Sequence, residues 1–253
     1  MKTEIVKDIK GILEFYQALG FDMLPISVEG VKRRHRETVN NSLRVSASPI
    51  PSVTKSKEAA LKSLREEVGD CKRCKLSSGR KNIVFGEGSP DARLMFIGEG
   101  PGREEDLQAR PFVGDAGMLL TRLIEKMGFR REEVYIANIV KCRPPMNRDP
   151  EKDEIESCRV FVEKQIEIIT PQVIISLGRI SAQTLIGNPA LKMTSIRGRF
   201  LDYNGIPLMP TFHPAYLLRN PKDKWLTWSD AQKALEKLQE TVKQRKGETE
   251  TET

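Results

Sequence analysis

"ARLMFIGEGPGREED", residues 92–106, runs from an apolar, β-type stretch straight into three glycines, a proline and five charges. Glycine after a strand lets the backbone approach a ligand closely, and the N–H groups opening a following helix favour anionic oxygens. A tight strand-to-helix turn accounts for Gly98, Gly100 and Gly102. It leaves unexplained Glu99, held between two of them, and Glu104, Glu105 and Asp106 just beyond. The stretch therefore reads as a site at the carboxyl end of a strand. Pro101 makes the G-x-G-x-G string a poor dinucleotide fingerprint, and no Walker-type phosphate loop is present.

Outward from this segment the pattern alternates. Apolar strands are predicted at 92–98, 134–140, 172–178 and 206–212. Amphipathic helices fall at about 115–128, 151–169 and 179–187, and "SDAQKALEKLQETVKQRK" forms a last one. Ile- and Val-rich strands separated by helices predict an α/β fold, a parallel sheet covered on both faces. Ligands of such sheets bind beyond the carboxyl ends of the strands. "GEGPG", "NIVKCRPP", "SLGR" and "TFHPAY" all fall there, and the agreement of four loops outweighs any one motif.

Upstream, a helix is predicted over "SKEAALKSLREEVG", ending at Gly69 before the first cysteines. Residues 40–56 read as a Ser- and Pro-rich linker. Ile5, Ile9, Ile12, Leu13, Tyr16 and Leu19 mark a helix over 4–19 with one apolar stripe. The organisation is thus an N-terminal extension at 1–57, a main domain at 58–245 and a disordered tail at 246–253. No internal repeat is visible.

Composition bounds the function. The 253 residues are 38% hydrophobic with mean hydropathy of -0.44, which suits a globular chain with one substantial core. No run reaches the roughly 18 apolar residues of a membrane span. Charges mixed into "MKTEIVKDIKGILEFYQ" argue against a secretory signal, so a cytoplasmic protein is expected. The net charge of +7 suits an anionic partner, although charge alone is weak evidence.

The cysteines form a Cys71-x2-Cys74 knuckle and a pair, Cys142 and Cys158, which converge if Cys142 ends a strand and Cys158 lies on the next helix. Four thiolates hold either a tetrahedral zinc or a cubane iron–sulfur cluster, and spacing leaves both open, as it does four unlinked core thiols. Of two histidines, His213 ends a strand before Pro214 and His35 sits in the charge run "VKRRHRE". A lone histidine is more often structural than catalytic; at a crevice loop the balance shifts toward chemistry. Asn138 ends an apolar strand, as a cap or as an amide offering donor and acceptor together to a base edge. Phe112, between Pro111 and Val113, is ordinary core or a stacking face.

Taken together, "GEGPGREED…RPFVG", "NIVKCRPPMNRDP", the four cysteines and "TFHPAYLLR" resemble, in order and spacing, the family 4 uracil-DNA glycosylases, the iron–sulfur branch of that superfamily. The resemblance covers about residues 58–245. It implies a three-layer α/β/α sandwich around a four-stranded parallel sheet and a structural [4Fe–4S] cluster on Cys71, Cys74, Cys142 and Cys158. It implies hydrolysis of the N-glycosidic bond of deoxyuridine in DNA, the first step of base excision repair. Uracil would flip out and stack on Phe112, with Asn138 reading its edge and Glu105 excluding a 5-methyl group. His213 and the backbone N–H of Gly100 would stabilise the charge developing on O2. Other branches place a water-positioning Asp where this chain has Gly100, which leaves the neighbouring Glu99 as the candidate for that task. Leu217 or Leu218 would fill the gap in the stack, with Arg219 near phosphate. "GEGSP", through Ser89 and Pro90, and "SLGRIS", through Arg179 and its serines, would touch the backbone.

The resemblance also frames the rivals. Some relatives trap uracil-DNA covalently through a histidine in a "KRRIH"-type insertion after the Asn strand. Here similar letters, "VKRRHRE", stand far upstream and the segment after Asn138 lacks them, so turnover is expected. A glycosylase for another deaminated base, such as hypoxanthine, is the second rival. A monomer is expected. The N-terminal helix could dock on the catalytic domain or recruit a protein partner, and its basic run could add salt-sensitive DNA affinity.

Overall fold

The computed structural model describes the backbone of residues 51–250 and the side chains of residues 56–240. The readings of the helix over 4–19 and of the basic segment around His35 lie outside the described residues.

Six strands form one sheet: β1 (Glu87–Gly88), β2 (Leu94–Gly98), β3 (Tyr135–Asn138), β4 (Val173–Leu177), β5 (Leu201–Tyr203) and β6 (Ile206–Thr211). Their order is β1-β3-β2-β4-β6-β5. The four expected strands are the parallel centre, β3-β2-β4-β6. Two short antiparallel edges, β1 on β3 and β5 on β6, make the sheet mixed and six-stranded rather than four-stranded. Both are only two or three residues long and incompletely buried, so they lack the continuous apolar signature of a central strand.

Every residue of β2 is buried, and its two faces feed two cores. Met95 and Ile97 pack with Phe161, Val162 and Ile166 of α4 (Lys152–Ile169) and Leu64 and Val68 of α1 (Pro51–Val68). Leu94 and Phe96 pack with Leu120, Leu123 and Ile124 of α3 (Asp115–Lys126) and Ala231, Ala234 and Leu238 of the closing helix. Each large side chain buried this way contributes about 1.5–3 kcal/mol. The result is the three-layer α/β/α sandwich. Between these lie the short helices α2 (Arg103–Gln108), α5 (Arg179–Ile186), α6 (Met193–Ile196) and α7 (Pro214–Arg219), with α8 (Lys224–Glu250) closing the chain.

Two boundaries differ from the sequence reading. Helix α1 begins at Pro51, inside the stretch read as linker, because proline suits a first helical turn, where its missing N–H costs nothing. Helix α8 continues to Glu250, so residues 246–250, read as tail, are helical. No helix among the described residues is long and apolar enough to cross a membrane.

Helix α8 is held to the sheet by one buried carboxylate. Asp230 accepts from Thr211 Oγ1 at the end of β6 (2.7 Å) and from the Arg197 guanidinium that follows α6. Removing one member of a buried pair strands the other charge, at a cost of about 3–5 kcal/mol. Asp230→Ala is therefore expected to lower the unfolding free energy by about 3 kcal/mol in a denaturant titration. A loss below about 1 kcal/mol, the value of a surface pair, would show that this anchor is dispensable.

Candidate active site and cysteine site

The carboxyl ends of β2, β3 and β6 open onto a cleft of about 370 Å³. Glu99, Gly100, Glu105, Phe112, Asn138, His213 and Arg219 all line it, so seven residues singled out in the sequence share one site.

Packing at the end of β2 sets its geometry. A Cβ on Gly98 would lie 2.5 Å from both Asn138 Oδ1 and Phe112 Cζ, so only glycine lets the amide and the ring meet there. Phe112 holds a left-handed backbone, φ 51°, unusual for a bulky residue. A Cβ on Gly117 would lie 2.0 Å from the Phe112 carbonyl, so α3 presses against the same peptide. Glu105 braces the loop from the other side: its carboxylate accepts N–H bonds from Gly102 (3.1 Å), Val113 (2.9 Å) and Gly114 (3.0 Å). The stacking face is thus held in place before any ligand arrives.

Asn138 is buried, yet its Oδ1 has no hydrogen-bond partner in the protein. Its backbone is fixed on both sides. Ile139 and Val140 extend the ladder to the carbonyls of Gly98 and Glu99, and the buried Lys141 Nζ donates to the Asn138 carbonyl (2.9 Å) and to Gln165 Oε1 (2.7 Å).

His213 caps α7. Its Nδ1 accepts from the Ala215 N–H at 3.1 Å, which puts the ring proton of the neutral imidazole on Nε2. Burial pushes its pKa down to about 4, against an opposing pull from Glu105, so the ring is neutral at physiological pH. The His213 and Phe112 ring centroids are 5.6 Å apart. Glu99 moves the other way: burial, reinforced by the Asp149 carboxylate, raises it to about 7. Asp149 lines the cleft and pairs with Arg179. A Cβ on Gly100 would lie 2.7 Å from Val140 Cγ2, so a side chain at this position would have to displace Val140.

The DNA-contact readings fare unevenly. Leu217 is 3% exposed and belongs to the interior, leaving Leu218, at 43%, as the exposed leucine of α7. Ser89 and Pro90 do not reach the cleft. The Ser89 N–H donates to Val134 at the start of β3, the opposite end of the strand from Asn138. In "SLGRIS", Ser176 and Ser181 are buried, with Ser181 Oγ bonded to the Ile97 carbonyl, and Arg179 meets the cleft through its pair with Asp149. Sequence reasoning missed Asp149, Arg148 and Tyr216 as cleft residues. The first two stand in the quoted "CRPPMNRDP", where an acid among arginines was the available signal.

The four cysteines ring a second, enclosed cavity on the α1/α4 face, with Arg73, Arg80 and Lys141. Arg80 NH1 donates toward Cys142 Sγ (3.4 Å) and the Lys141 N–H toward Cys158 Sγ (3.2 Å). Burial pushes the Cys142 thiol up to about 11 and raises Cys74 and Cys158. Among the described residues no group of three or more His, Cys, Asp or Glu closes on a single ion.

The chain from residue 85 to 239 matches the model of the uracil DNA glycosylase superfamily. A type-4 uracil-DNA glycosylase of Saccharolobus solfataricus is 49% identical over 183 residues, 69% of this chain and 85% of the relative. The type-4 enzyme of Thermotoga maritima is 48% identical over 166 residues, 65% of this chain and 86% of the relative. That of Sulfurisphaera tokodaii is 44% identical over 185 residues, 70% and 84% respectively. With its cleft, its cysteine site and these similarities in agreement, the chain belongs to the uracil-DNA glycosylase superfamily.

Proposed function

We propose that this protein is a monofunctional uracil-DNA glycosylase, which hydrolyses the N-glycosidic bond of deoxyuridine in DNA to free uracil and an abasic site. The observation that carries the reading is the unpaired, buried Oδ1 of Asn138 beside the ring of Phe112. An orphaned buried acceptor costs about 1–3 kcal/mol, and the N3–H of a stacked uracil relieves it. The amide N–H then donates to O4. Cytosine reverses this pattern, with an acceptor at N3 and a donor at C4. Thymine carries a methyl group toward Glu105, whose carboxylate is tied to three backbone N–H groups and cannot swing aside.

The reaction follows from charge. The bond from C1′ to N1 breaks with its electron pair on uracil, and negative charge gathers at O2. Neutral His213 presents Nε2–H to that oxygen, joined by the Gly100 N–H. Water adds to C1′ of the oxocarbenium-like sugar, oriented by Glu99, which takes its proton. A neutral histidine suits the task, since an imidazolium would have to be kept charged in a buried site.

We assign a [4Fe–4S] cluster to Cys71, Cys74, Cys142 and Cys158. The donor set fits: all four cysteines line one cavity. The Arg80 guanidinium, which donates toward Cys142 Sγ, stands ready to balance a negative cluster. When bound, the cluster ties three chain segments together.

Three outcomes test this. With uracil-containing oligonucleotide in excess, Asn138→Ala and His213→Ala each lower kcat about 10²–10³-fold, the loss typical of a transition-state donor; near-wild-type rates would sink the pocket assignment. Because the Glu99 carboxylate must be ionised and its pKa is raised to about 7, kcat/KM rises as pH climbs through that value. Glu99→Gln flattens the profile, whereas a wild-type rate that falls across this range would mean that the protonated acid is the active form. Protein purified without oxygen should contain iron and acid-labile sulfide in equal amounts, and Cys142→Ala should lose both and melt at lower temperature. Zinc in their place would contradict the cluster.

A further inference from the structure

The most exposed large hydrophobic side chain among the described residues is Met146, at 93%. It stands in the loop between β3 and α4, whose Pro144, Asn147, Arg148 and Asp149 line the cleft. An apolar side chain projecting into water at the rim of a site is unusual, and nothing among the described residues covers it.

The loop is built to hold Met146 there. Met146 and Asn147 are consecutive left-handed residues, φ 53° and 54°, and neither is glycine. Strain of this kind persists only where the surroundings enforce it, and it gathers at functional sites. Here the Asn147 and Arg148 N–H groups close turns onto the carbonyls of Pro144 and Pro145. Arg143 Nε donates to Asn147 Oδ1 at 2.8 Å. Arg148 anchors the far end through a two-pronged bond to the buried Glu154 carboxylate on α4 (2.8 and 2.7 Å). Between prolines and arginine braces, the methionine is presented rather than left loose.

Topology gives the direction. The β3 and β6 loops leave the carboxyl edge of the sheet on either side of β2, because β3 and β6 are separated in the strand order by β2 and β4. Residues of both loops line the cleft, and the exposed Met146 and Leu218 are chain neighbours of lining residues, one on each loop. Arg143 on one loop and Arg219 on the other add cations suited to phosphates next to each tip. Apolar side chains flanked by cations are the means by which proteins enter a base stack.

The geometry points to Met146 as a second stacking wedge: on a duplex substrate it enters the base stack beside the flipped nucleotide, while Leu218 stands on the other loop. This rests on the glycosylase reading above. A wedge replaces stacking lost from a duplex, so it matters where there is a stack to open and little on an unpaired strand.

The test compares wild type with Met146→Asn, which tolerates the left-handed backbone but removes the apolar tip, and with Met146→Leu, which restores one. Each is assayed on uracil mispaired with guanine in a duplex and on the same strand unpaired. Met146→Asn should lower kcat/KM on the duplex by about tenfold and on the single strand by less than about twofold, with Leu recovering most of the loss. Its melting temperature should match wild type, since the side chain touches no core. Equal losses on both substrates, or no loss on either, would overturn the wedge. Fluorescence of 2-aminopurine placed beside the uracil, read on binding, should rise with wild type and Met146→Leu and stay low with Met146→Asn. An equal rise in all three would also overturn it. Wild type that releases no uracil from either substrate would instead defeat the glycosylase reading, and the fluorescence comparison would still decide the wedge.

Discussion

The missing Cβ at Gly98 is the constraint on which the site depends. Two groups that would otherwise exclude each other, the Phe112 ring and the Asn138 amide, both come within 2.5 Å of the place a Cβ would occupy. One offers a flat apolar face and the other a directional acceptor. A planar base with an N–H on its edge satisfies both together, and little else does. The position lies at the last residue of a fully buried central strand, where Gly98 is in register with Asn138. The precision of the sheet is thereby passed directly to the pocket.

From that point the connection between β3 and α4 ties the pocket to the cysteine site. Asn138 ends the strand; Lys141, three residues on, supports its carbonyl and offers its own N–H to Cys158; Cys142 follows. Arg148 then returns from the cleft rim to Glu154, one turn ahead of Cys158 on α4. A cluster on the four cysteines would hold this connection at both ends without touching substrate. That is a structural use of a cofactor, and it suits a reaction whose chemistry is leaving-group electrostatics. The opposed shifts of Glu99 and His213 complete the arrangement: burial favours the neutral form of each, while only the carboxylate is left near enough to 7 to change charge under physiological conditions.

Much of this was legible in the sequence because central parallel strands are unbroken apolar runs. "LMFIG", "YIAN" and "VIISL" fall within the expected strands, and the chemistry gathers at their carboxyl ends. The edges β1 and β5 were not legible, being two or three residues long with no apolar pattern to read. Exposure along a short helix was equally hidden: Leu217 and Leu218 are identical in kind, and only packing shows that the first is core. Ser89 misled because serine and proline after a glycine look like a phosphate-facing loop wherever they occur. Its pairing with Val134 turns it to the far end of the sheet. Met146 drew no notice within a motif read for its prolines and cysteine, since neither exposure nor a left-handed backbone is written in a methionine.

Uracil release under excess substrate separates hydrolysis from capture most directly. With duplex or single-stranded oligonucleotide supplied far above enzyme, wild type should free many equivalents of uracil per chain and none of thymine or cytosine from matched controls. Release that stops at one equivalent, or a protein–DNA adduct that survives denaturation, would contradict the hydrolase and leave the same pocket serving capture rather than turnover.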